Sequence, residues 1–100
     1  MNQLVVLTLL VSAVVAVDVI LYQHAGHNGP SANIRGSGCV HLDSLWNDQA
    51  SSINTKGRCV IVFEHGGCRG KSARIQPGTS CHSYLGDCGL NDKVTSIADC

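Results

Sequence analysis

The sequence predicts an all-β domain of two Greek-key motifs, eight short strands packed as a sandwich and stapled by disulfides. Three observations carry that expectation. A six-residue polar run, Asn47-Asp48-Gln49-Ala50-Ser51-Ser52, returns as Asn91-Asp92-Lys93-Val94-Thr95-Ser96. Each copy sits at the same place in a series of short β-rich segments with no helical periodicity of useful length. Six cysteines, at 39, 59, 68, 81, 88 and 100, lie in the same stretch of chain.

Residues 1–16 stand apart from the rest. They carry no charged side chain and are almost wholly apolar from Leu4 through Ala16, a run shorter than the roughly 20 residues a membrane-spanning helix needs. Small residues at its end suit cleavage after Ala16, so the segment reads as a secretory signal peptide, atypical in having no Lys or Arg before its apolar run. The expected product is a secreted domain over 17–100 with no membrane contact after cleavage.

Within that domain, sliding the chain by 41 positions places Tyr22 on Phe63, His24 on His65, Gly29 on Gly70, Ser31 on Ser72, Ala32 on Ala73 and Ile34 on Ile75. Slight insertions raise the offset to 44 where Asn47 meets Asn91 and Ile53 meets Ile97. The first strand of each unit is Val19-Ile20-Leu21-Tyr22 or Val60-Ile61-Val62-Phe63, leading through a Gly-containing connection into an alternating segment around Ile34 or Ile75. A third strand is expected near Val40 or over Cys81 to Leu85, and a fourth through Ser52-Ile53 or from Val94 to Ala98. The two units span about 17–56 and 57–100, and a Greek-key path lets them share one core.

A domain this small buries too little surface to be comfortable, and its large aromatic residues are few: Tyr22, Trp46, Phe63 and Tyr84. An even cysteine count in an exported chain therefore argues for three disulfides, each worth roughly 2–4 kcal/mol. Zinc is disfavoured, since no Cys-x-x-Cys pair occurs.

On these residues the chain resembles the βγ-crystallin family. The family's hairpin pattern of an aromatic, Glu, a second aromatic and Gly is met by Phe63, Glu64 and Gly70, with Cys68 in place of the second aromatic. The first copy departs further, keeping Tyr22 and Gly29 but carrying Gln23 and His27. Gly29 and Gly70 are expected at backbone positions of positive φ, where a Cβ would clash. A disulfide through Cys68 could hold down the hairpin that a ring otherwise covers.

The polar runs concentrate the side-chain oxygens that a hard cation such as Ca²⁺ takes as ligands. The resemblance implies two calcium sites, each combining the run of one Greek key with groups of the other. Ser51 and Thr95 would supply hydroxyls, Gln49 and Lys93 backbone carbonyls, Asp48 and Asp92 carboxylates, and a hairpin carbonyl near Gln23 or Glu64 would contribute. Ser52 and Ser96 resemble the structural serine that ties the hairpin to the loop. The plainer alternative is a turn whose side chains cap backbone amides.

In a Greek key the first and fourth strands lie side by side, so Cys59 and Cys100 can come within the roughly 5.5 Å Cα separation a bridge needs. Cys39 has no partner in its own half and must reach the second. The remaining pairings stay open among the 15 connectivities of six cysteines.

Seven basic and seven acidic residues leave no basic face for nucleic acid. Five histidines and many serines form no recognisable catalytic constellation, and the repeat-equivalent His24 and His65 read as structural, so no enzymatic activity is expected. The resulting expectation is a secreted, calcium-stabilised protein with a structural or stress-protective role. A protease inhibitor or antimicrobial, killer-toxin-like protein is the alternative, with Ser37 to Asn47 and Cys81 to Gly89 as candidate loops.

Overall fold

A computed structural model describes residues 17–100; the expected signal peptide, 1–16, lies outside the described residues. The described residues form seven strands: β1 (Val17–His24), β2 (Asn28–Gly36), β3 (Val40–His41), β4 (Ser52–Asn54), β5 (Val60–His65), β6 (Arg69–Ile75) and β7 (Ser96–Asp99). Two antiparallel sheets result, one ordered β2-β1-β4 and the other β3-β7-β5-β6. The third strand of the first half thus leaves its own sheet and pairs with β7, Val40 opposite Ile97 and His41 opposite Ser96. That crossover locks the halves together.

Period-two patterning decides which face of each strand is buried. Val17, Val19 and Leu21 alternate inward along β1, and Val60 and Val62 along β5, all with no exposed surface. Ile53, Ile75 and Ile97 meet them from β4, β6 and β7, while Trp46, Leu85, Leu90 and Val94 close the core from the connections. At roughly 1.5–3 kcal/mol per buried aliphatic side chain, this single core is the main favourable term.

The structure differs from the eight-strand expectation at one place. The segment from Cys81 to Leu85 forms no strand; it belongs to two short 3₁₀ turns, Ser80–His82 and Leu85–Cys88. The physical reason is the Cys81–Cys88 bridge, which spans only seven positions and keeps the chain from extending. Two bonds of the missing strand survive, from Leu85 N to Ser51 O at 2.7 Å and from Gly26 N to Ser83 O at 2.8 Å.

The other disulfides join distant parts. Cys59 is bridged to Cys100 with Cα atoms 5.6 Å apart, tying the start of the second half to its last strand. Cys39 reaches Cys68 in the β5–β6 hairpin. All six cysteines are bridged.

Candidate functional site

Both hairpins break register at the same point, between Tyr22 and His24 and between Phe63 and His65. The break folds the hairpin over the sheet. Gly29 and Gly70 have φ of +82° and +83°, and a Cβ on either would run into the ring of His24 or His65. The two repeated histidines therefore cover the two glycines.

Each folded hairpin is held by a buried serine from the end of a polar run. Ser52 Oγ donates to His24 O at 2.6 Å and accepts from His27 N at 3.0 Å. Ser96 Oγ does the same with His65 O at 2.6 Å and Cys68 N at 3.0 Å. His27 and Cys68, where the family pattern has its second aromatic, both adopt left-handed backbone, with φ of 61° and 55°.

The polar runs are wired to each other. Asp48 N donates to Val94 O, and Asp92 N to Ala50 O. Ser51 Oγ lies 3.3 Å from Asp92 Oδ1, and Thr95 Oγ1 lies 3.4 Å from Asp48 Oδ1. Asp48 and Asp92 are left-handed, with φ of 59° and 55°, a conformation Asp tolerates better than most residues. This aims each carboxylate at the opposite run.

Ser51 N and Thr95 N donate to Tyr22 O and Phe63 O, the residues that immediately precede Gln23 and Glu64. Gln49 N and Lys93 N complete matching turns onto Trp46 O and Leu90 O, so their own carbonyls take no part in those bonds. Among the described residues, no three His, Cys, Asp or Glu side chains converge as a metal cluster. Any cation here must be held mainly by hydroxyl and backbone oxygens with one carboxylate, a donor set of the kind hard cations accept.

Asn47 and Asn91, the first residues of the two runs, were not singled out as site residues by their sequence. Both place Oδ1 out of contact with water and without a hydrogen-bond partner. The signal that could have found them was their identity in both copies of the run.

Comparison with known proteins agrees with this geometry. No protein-family model and no curated protein sequence matches the chain. A βγ-crystallin from an archaeon is 27% identical, over 85% of this chain and 99% of that one, with a TM-score of 0.64. A βγ-crystallin from Ciona intestinalis is 23% identical over 83% of this chain and 99% of that one, with a TM-score of 0.67.

The chain has the fold of the βγ-crystallins and is similar to that family.

A third solved structure, that of Protein S complexed with calcium, is 18% identical over 90% of this chain, with a TM-score of 0.63; the chain spans about half of that protein. The two hairpins of this chain are closed in different ways. The disulfide through Cys68 closes one of them, and the other is closed by His27, whose ring packs against Tyr22 and His82 with centroids 5.2 Å from each.

Proposed function

We propose that this chain is a secreted βγ-crystallin whose fold is stabilised by up to two calcium ions and whose role is structural or protective outside the cell. One observation carries the reading: the reciprocal pairing of Ser51 with Asp92 and of Thr95 with Asp48. A mere capping turn needs no partner from the opposite half, whereas a shared ion does.

In this reading one site takes Ser51 Oγ, the Gln49 carbonyl, the Asp92 carboxylate and the carbonyl near Gln23. The other takes Thr95 Oγ1, the Lys93 carbonyl, the Asp48 carboxylate and the carbonyl near Glu64. Buried acceptors at Asn47 and Asn91 that lack a donor add negative potential beside both. The ion supplies a charge that draws the two runs together. With one carboxylate per site the affinity belongs to the range of extracellular modules, on the order of 10⁻⁵ to 10⁻³ M.

Export is supported by the apolar character of residues 1–16 and by three disulfides, which persist in oxidising compartments. An inhibitor needs an exposed, extended reactive loop. The Cys81 to Gly89 segment is instead coiled into 3₁₀ turns with Cys81 and Leu85 fully buried, which does not favour that use.

Calorimetry of the oxidised domain with Ca²⁺, paired with thermal melts, tests the proposal. Binding of about two ions with a raised melting temperature is expected. No heat and no thermal shift up to millimolar Ca²⁺ would reduce the polar runs to structural turns.

A further inference from the structure

The two hairpins are closed by chemically different links. In the second, Cys68 is joined to Cys39. Its repeat equivalent in the first hairpin is His27, 41 positions earlier. Leu42 N on Thr95 O corresponds to Leu85 N on Ser51 O, and that register brings His82 to the place of Cys39. His27 and His82 do meet, edge to face, with ring centroids 5.2 Å apart and planes at 85°.

The hydrogen bonds set the protonation state of His82. The Thr55 amide, which can only donate, lies 3.3 Å from His82 Nε2, so that nitrogen must present its lone pair. Thr55 is fully buried. His27 Nε2 lies 2.9 Å from Ile53 O and 3.2 Å from His82 O, both acceptors, and so carries the proton. The hairpin, the end of β4 and the Ser80–His82 turn are thus joined through two imidazoles.

We propose that His27 and His82 form an acid-released latch, the titratable counterpart of the Cys39–Cys68 disulfide. Protonating His82 removes the acceptor from the Thr55 amide and sets a cation against the edge-to-face His27 ring. The Thr55 hydroxyl, 3.3 Å from the same nitrogen, can accept from the protonated ring, but the buried amide then faces a donor.

The surroundings favour the neutral ring: burial, and secondarily the charge of His27, hold the His82 pKa below the ordinary histidine value of 6.5. The groups facing the pair are Tyr22 from β1 and Thr55 and the Ile53 carbonyl from β4 and its end. No carboxylate among the described residues pairs with either ring. A folded-state pKa below the unfolded one means the unfolded chain binds more protons, so the latch loosens as pH falls below about 6.5. Ordinary extracellular pH leaves it shut, and an acidified compartment opens it.

Hydrogen exchange with NMR provides the test, because the His27 and Cys68 amides donate to equivalent serines and differ only in how their hairpins are closed. Between about pH 7.5 and 5, protection corrected for intrinsic exchange should fall roughly tenfold at His27 and Thr55 and stay constant at Cys68. His82→Gln, which offers an acceptor that does not titrate, should abolish the difference. Equal changes at both hairpins, a His82 ring that titrates at or above an ordinary histidine, or an unaltered pH response in His82→Gln would overturn the latch. If His82→Gln does not fold, the two wild-type readouts decide.

Discussion

Ser51 Oγ lies 3.3 Å from Asp92 Oδ1 in the opposite half of the molecule. The same relationship recurs between Thr95 and Asp48 at 3.4 Å. Each polar run therefore finds its carboxylate partner in the other run, and each candidate site is incomplete within a single Greek key. The duplication thereby supplies each run's partner: a lone copy would have the hydroxyl without the acid that faces it.

Exchanging Asp92 for Asn keeps the side-chain shape and the tolerance of left-handed backbone while removing the charge. Asp92→Asn should weaken the Ca²⁺ site built on Ser51 by about tenfold or more, and Asp48→Asn the site built on Thr95, each leaving the other in place. Titration calorimetry should then count about one ion in either variant and none in the pair. Melting temperatures without Ca²⁺ should stay within a few degrees of wild type, since surface substitutions of this kind usually cost about 0.5 kcal/mol or less.

Much of this arrangement was legible in the sequence because duplication makes signals redundant. The repeats of Tyr22 with Phe63 and Gly29 with Gly70 placed both hairpins, and the β-rich runs Val19 to Tyr22 and Val60 to Phe63 placed the first strand of each half. The third segment of the second half was not legible. Its residues look like those of a strand, but the pairing of Cys81 with Cys88 is invisible among 15 connectivities, and it is that ring which curls the segment. Nor did the sequence reveal that His27 and His82 touch, because their contact depends on a register shift between two halves that differ in length.

The hairpin glycines should be intolerant of any side chain. Gly70→Ala places a residue with a Cβ at φ +83°, which costs roughly 1–2 kcal/mol in the left-handed region. The new methyl also meets the His65 ring, so the loss should exceed that figure, and Gly29→Ala against His24 should behave alike. Urea denaturation reads both. Combining Gly70→Ala with His65→Ala should recover the steric part only, leaving the backbone cost.

Ser52 and Ser96 each bridge a hairpin carbonyl and a hairpin amide while fully buried. Truncation to Ala leaves the amide of His27 or Cys68 without its acceptor, at about 1–3 kcal/mol for the orphaned group. Ser52→Ala should be the more damaging, because the second hairpin keeps its disulfide while the first has only the two histidines. Thermal melts of the oxidised variants, followed by the same melts after reduction, separate the cases: reduction should narrow the gap between them.

Asp18 on β1 gathers three partners: the Asn33 amide at 3.0 Å, the Lys56 ammonium at 2.9 Å and Arg35 at 3.8 Å. The Asn33 hydrogen bond, followed by that of Lys56, holds its carboxyl down to about 2 from 3.8. Because the folded value is the lower one, the stabilisation is complete above pH 3.8 and is lost as pH falls toward 2. Lys56 lies in the turn between the halves, between Asn54, whose Oδ1 accepts from its amide, and Gly57. Acid should therefore release the link between that turn and the β1–β2 hairpin before the core yields. Carboxyl-carbon NMR should find Asp18 titrating near 2 in the wild type and moving upward in Asn33→Ala and, by less, in Lys56→Gln. An Asp18 that titrates near 3.8 in the wild type would show that these partners do not hold it in solution.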